Sequence, residues 1–298
     1  MAIFRLEAKI FSRKKKGRSI VAAAAYRAGM KLRDEAGAVD YDYSRREKGV
    51  LFSGILAPES APKWATEPAQ LWNTVEKSEK RKDAQLAREF VLSLPKELTF
   101  EQQYQLAVDW AKKELVSLGM VAEVSLHNPK SGKNPHAHIL CTLRKLDGDK
   151  FSTKKAREWN DVKMLLLQRE SWAQAVNSML EANGFTARVD HRSLEARNID
   201  RKPEPKIGVK DKAMQRRGAV EDTERCRDAR QTRLLNEVQP MLNAINRTGA
   251  IAQIGLGRNW WERSSSTLAR MRDQAMKLLK DSWQKFVRNG AKETAMER

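Results

Sequence analysis

Two runs of alternating residues, "VAEVSLH" (121–127) and "HAHILCTL" (136–143), flank the short segment "NPKSGKNP". Side chains point to opposite faces at successive positions of a strand. Ala122, Val124 and Leu126 therefore share one face of the first run, and Glu123, Ser125 and His127 share the other. On the second run Ala137, Ile139, Cys141 and Leu143 oppose His136, His138, Leu140 and Thr142. A loop rich in proline, glycine and asparagine between two such runs predicts an antiparallel hairpin, with the apolar sets forming the face that a core must cover. Three of the chain's four histidines, His127, His136 and His138, then gather on the opposite face.

Three neutral imidazoles on one face form a metal site of a particular kind. They add no charge, so a bound divalent cation keeps its own charge and open coordination positions, which suits it to an anionic phosphate oxygen. A structural zinc would call for a fourth protein ligand, and Glu89, Glu123 and Cys141 are the residues that could supply it. The plain alternative is an exposed trio that binds phosphate as cations or faces solvent. With 57 Lys+Arg against 38 Asp+Glu and a formal charge of +19, the expected partner is a polyanion, nucleic acid ahead of a membrane surface. No run of 18 apolar residues and no signal-peptide core is present, so a cytoplasmic protein without membrane insertion is expected. Two cysteines without CxxC spacing exclude a disulfide framework. No GxxxxGK[ST] loop occurs, so no attached helicase is expected.

The first two thirds of the chain read as an α+β domain, a mostly antiparallel sheet of about five strands with helices mainly on one face and the site on the other. Strands are predicted at 2–11, 50–56, 89–94, 121–127, 136–143 and 185–189. Ser19 is a plausible N-cap for a helix through "IVAAAAYRAGMKLRDEAG" that ends near Gly37, Thr99 opens another, and a third spans 155–184 with Trp159, Val162, Leu166, Trp172, Val176 and Leu180 on one stripe. Residues 1–210 are taken as one domain and 211–298 as a basic helical tail; the composition shifts after Arg201, residues 201–298 being about twice as basic per residue as the first 200. The tail's predicted helices cover 212–246 and 261–289; a solvated packing appendage and a nucleic-acid arm are both open readings.

Four tyrosines are candidate nucleophiles. Tyr104 lies one turn from Phe100 and Val108, as a core residue would. Tyr41 and Tyr43, in "DYDYSRRE", suit base stacking. Tyr26 projects beside Arg27 from a helix lined with four alanines, which can approach a sheet or a sugar-phosphate backbone closely. A phenol with a pKa near ~10 needs help losing its proton, and a metal can supply it. Glu89 faces away from Phe90 and Leu92 on its strand, where it could orient a histidine ligand or be an ordinary surface glutamate. His191 reads as a capping or core residue.

The segments "GRSIVAAAAYRAG", "AREFVLSLPKEL", "H-x8-HAH" and "VDHRSLEARNID" followed by "PEPKIG" together resemble the MobA/MobL-type conjugative relaxases of the HUH endonuclease superfamily, over roughly the first 210 residues. Lys206 stands where the resemblance leads one to expect a histidine. The resemblance implies the HUH relaxase fold and a metal-dependent nick in one strand at a plasmid origin of transfer. It implies Tyr26 as nucleophile, Glu89 in support, and His127, His136 and His138 as ligands of Mn²⁺ or Mg²⁺, with Zn²⁺ an option. Single-stranded origin DNA, relaxosome accessory proteins and a type IV secretion coupling protein are the implied partners. A rolling-circle replication initiator of the same superfamily and a non-catalytic plasmid DNA-binding protein with a structural metal are the alternatives.

Overall fold

The computed structural model describes residues 2–13, 19–128, 134–217 and 223–253. Strand β1 (Leu6–Ser12) is followed by helix α1 (Ile20–Ala28). The Ser19 hydroxyl accepts the backbone N–H groups of Val21 and Ala22, which leads the chain into α1. The helix stops eight residues before the expected Gly37, because Gly29 turns left-handed (φ 65°), a conformation that costs a side-chain-bearing residue energy and that ends helices. The chain then forms a hairpin, β2 (Lys31–Asp34) and β3 (Val39–Asp42), in which Leu32 and Asp34 point inward. The Asp34 carboxylate accepts the N–H groups of Ala36 and Gly37 and so shapes its turn.

The remaining elements are β4 (Val50–Leu56), α2 (Pro68–Ser78), β5 (Gln85–Ser93), α3 (Phe100–Glu114), β6 (Ala122–His127), β7 (His136–Cys141), the short pair β8 (Leu146–Asp147) and β9 (Lys150–Phe151), and α4 (Val162–Ala182). Thr99 and Gln102 form a reciprocal capping box at the start of α3. The main sheet has the order β1-β5-β7-β6-β4 with every neighbouring pair antiparallel.

Both faces of this sheet are covered, which corrects the expectation of helices mainly on one side. On one face Phe90, Leu92, Val124 and Ile139 pack with Trp110 of α3 and Trp172 of α4. On the other, Ala87, Val121 and Leu140 pack with Val21 and Ala24 of α1 and Trp72 of α2. Strand β5 is accordingly buried at nearly every position, as a strand between two helical layers must be.

Two further expectations are corrected. Residues 185–189 form no strand, because the Asn177 side chain takes both backbone groups of Val189 that a ladder would use, donating to its carbonyl (2.9 Å) and accepting its N–H (2.8 Å). The third helix starts at Val162, with Asp161 accepting the N–H of Lys163. Trp159, Trp172, Val176 and Leu180 are buried as the stripe requires, whereas Val162 and Leu166 are exposed.

The chain divides into two compact units, Met1–His191 and Arg192–Arg298. The second contains α5 (Val209–Arg216) and α6 (Glu224–Gln253). Along α6, Asn236 bonds both backbone groups of Lys202, and Arg233 pairs with Glu204 at 3.0 Å. The helix expected at 261–289 and residues 129–133 of the hairpin loop lie outside the described residues. No described helix is long and apolar enough to cross a membrane.

Candidate metal and nucleophile site

The β6–β7 hairpin has the register that alternation implies: His127 lies opposite His136, and Ser125 opposite His138. Ring centroids of the three histidines are 5.3, 5.0 and 5.1 Å apart. One ligand nitrogen from each lies within 4.8 Å of the others, a spacing that small ring rotations close onto one ion at metal–nitrogen bonds of about 2.1 Å.

One nitrogen of each ring is held by an oxygen acceptor. His127 Nε2 donates to the Arg27 carbonyl (2.6 Å), His136 Nδ1 to the Asn134 carbonyl (2.8 Å) and His138 Nδ1 to Glu89 Oε1 (2.7 Å). Carbonyl and carboxylate oxygens only accept, so the proton sits on those nitrogens and the lone pair on the opposite ones. Burial pushes the His136 imidazole down, toward the neutral form that a ligand needs. The donor set therefore fits a divalent cation.

Glu89 is buried and fully engaged. Arg27 Nε donates to its Oε1 and Arg27 Nη2 to its Oε2, both at 2.8 Å, while His138 holds Oε1 as well. Burial alone would raise this carboxyl, but the hydrogen bonds from His138 and Arg27 and the charge of the guanidinium outweigh it and hold the group at about 2. Among the described residues no fourth ligand joins the histidines. Cys141 is buried in the core on the α3–α4 side, its thiol pushed up by that burial. Glu123, on the histidine face, is buried against Trp72, whose Nε1 donates to Oε2 at 2.6 Å; burial pushes its carboxyl up to about 7, with Trp72 and Arg27 opposing.

The tyrosines separate cleanly. Tyr26 is 42% exposed on the last turn of α1, and the carbonyl of the next residue is the one bound by His127. Its ring meets Tyr43 edge to face. Tyr41 is partly buried against the α1–α2 core, and burial raises its phenol. Tyr104 packs on Phe52, centroids 4.8 Å apart, in the core as expected. His191 stands outside the histidine group, its carbonyl accepting Arg169. Arg27 joins the site from outside the sequence candidates; its only sequence signal is its place directly after Tyr26.

Residues 18–217 match the MobA/MobL family. The chain is 35% identical over 257 residues to the mobilization protein MobL of Acidithiobacillus ferridurans, covering 76% of this chain and 67% of that one. It is 34% identical over 247 residues to the conjugal transfer protein TraA of Agrobacterium fabrum, covering 73% of this chain and 22% of the longer relative. A solved structure described as "Molecular Basis of Vancomycin Resistance Transfer in Staphylococcus aureus" superposes with a TM-score of 0.60 at 33% identity, over 64% of this chain and all of that one. A match running through the Tyr26 helix, the Glu89 strand and the histidine hairpin leaves one conclusion: the chain belongs to the MobA/MobL family.

Proposed function

We propose that the chain is the nicking domain of a conjugative relaxase, which cuts one strand of DNA at an origin of transfer, holds the 5' end on Tyr26 and later rejoins it. One observation carries this reading: an exposed tyrosine on the helix whose next carbonyl touches His127, beside three imidazoles each oriented for metal. The relatives are named for mobilization and conjugal transfer, which agrees with it.

A bound divalent cation would polarise the scissile phosphate and stabilise the charge that builds on it. Tyr26 Oη forms the new bond to phosphorus, the bond to the 3' oxygen breaks, and the proton lost from the phenol is balanced by the one gained at the 3' hydroxyl. The phosphotyrosyl ester keeps the diester's energy, so attack by a 3' hydroxyl reverses the step without ATP. Glu89, ionised and held on both oxygens, acts as the acceptor that orients His138 rather than as a base for Tyr26. Three nitrogen donors suit Mn²⁺ or Zn²⁺ better than Mg²⁺, which prefers oxygen. Residues 1–210 supply this chemistry and the basic tail adds phosphate contacts; accessory and coupling proteins would deliver the complex for transfer.

The test is incubation with single-stranded oligonucleotides carrying candidate origin sequences and Mn²⁺, read on denaturing gels. A protein–DNA adduct that requires the metal supports the reading, and its absence with every origin sequence tried, despite DNA binding, counts against it.

A further inference from the structure

We propose that Arg27 is a positioning residue that locks the nucleophile helix to the metal ligands; the inference rests on the reading of Tyr26 as nucleophile. This one residue reaches two of the three histidines by separate routes. Its backbone carbonyl accepts His127 Nε2 at 2.6 Å. Its guanidinium grips Glu89 through two parallel bonds of 2.8 Å, and Glu89 in turn holds His138 at 2.7 Å. The remaining Nη1 donates to the Ala23 carbonyl at 2.7 Å, one turn back along α1. Both side chains of the pair are largely shielded, 14% and 8% exposed.

The need for such a lock arises from the rest of α1. Its buried face is mostly alanine, and small apolar contacts have no preferred direction, so a helix resting on them can slide or roll on the sheet at little cost. A step of one residue turns the face by about 100°, which would swing Tyr26 away from the histidines. A two-pronged guanidinium–carboxylate contact fixes distance and plane together, and a lysine ammonium, a point charge, would fix neither. Displacement of a reacting group by an ångström costs about a hundredfold in rate. Arg27 thus sets where Tyr26 stands relative to the ion, without taking part in the bond changes itself.

The experiment uses the full chain with two readouts: Co²⁺ affinity from its absorbance spectrum, and the rate of adduct formation with single-stranded origin DNA at saturating Mn²⁺. Arg27→Gln is expected to slow the saturated rate about tenfold or more while weakening Co²⁺ binding by less than about threefold, since Glu89 still orients His138. Glu89→Gln should impair both, metal affinity by about tenfold or more. The double variant should be no slower than Glu89→Gln alone, because both changes cut one link. A wild-type saturated rate in Arg27→Gln with only its melting temperature lowered, or rate losses that multiply in the double variant, overturns the proposal. If Arg27→Gln does not fold, Arg27→Lys decides: slow though folded supports the lock, and a wild-type rate rejects it. Tyr26→Phe, run alongside, separates the two levels. Adduct persisting there overturns the nucleophile; adduct lost there, with Arg27→Gln at full rate, overturns the lock alone.

Discussion

The rings of Tyr26 and Tyr43 meet edge to face, centroids 5.3 Å apart and planes at 84°. The backbone N–H of Tyr43 donates to the Met30 carbonyl at 3.2 Å, so the β2–β3 hairpin folds back to place this ring beside the end of α1. Such pairs are worth about 0.5–1.5 kcal/mol, enough to hold the Tyr26 ring in one orientation. Tyr43→Ala should slow adduct formation about two- to tenfold, and Tyr43→Phe should leave it near wild type. Tyr26→Phe should bind origin DNA and form no adduct. Gel-resolved adduct rates for the three variants check the assignment; adduct in Tyr26→Phe together with none in Tyr43→Phe would reverse it.

Removing His136 or His138 takes away one of three neutral ligands and leaves too weak a site for a labile divalent ion. His136→Ala and His138→Ala should lose metal binding and cleavage together, and EDTA should do the same to the wild type, reversibly on adding Mn²⁺. Full cleavage in excess EDTA, with no metal found by elemental analysis, would remove the metal from the mechanism.

Glu123 makes stability depend on pH. Its carboxyl is raised from 4.5 to about 7 by burial, so its folded-state pKa lies above its unfolded value. The stability it contributes is complete below pH 4.5 and is lost as pH rises through 7, a change on the order of 3 kcal/mol. Glu123→Gln keeps an oxygen for Trp72 and cannot ionise. Urea unfolding at pH 5 and pH 8 should show a smaller difference in the variant than in the wild type; equal differences would mean that Glu123 does not titrate in this range.

Gly29 ends α1 in the left-handed region. Gly29→Ala should cost about 1 kcal/mol of unfolding free energy, because a Cβ strains that conformation. An unchanged urea midpoint would show that the helix end relaxes at no cost.

The basic tail is tested by salt. Ending the chain at Gly208 should flatten the slope of log affinity for single-stranded DNA against log salt by about 0.7 for each phosphate that the tail had neutralised. An unchanged slope with lowered thermal stability would assign the tail to packing instead.

Period-two alternation reveals the hairpin and the histidine face because β6 and β7 pair in register with one face apolar and the other polar. Caps are equally legible: Ser19 and Thr99 sit where their side chains close helix ends. The end of α1 is hidden because "MKLRDEAG" has good helix formers, and nothing but Gly29 marks the stop. The second helical layer is hidden for a related reason: Leu140 and Val121 interrupt polar positions singly, and only packing against Trp72 reveals them as core. Val189 reads as strand until Asn177, twelve residues away, claims its backbone. Arg27 has no periodic signal at all. Its meaning lies in Glu89, 62 residues later in the chain.

Two of the three candidate ligands, His136 and His138, stand on the middle strand of five, paired to β5 on one side and β6 on the other. Backbone bonded on both edges opens only with the whole sheet, so the amides of β7 should be among the last in the protein to exchange with deuterium. Loss of a bound ion would then leave its cradle standing. A metal held there would leave and return, or be swapped for another of similar preference, on the timescale of bond dissociation rather than of refolding.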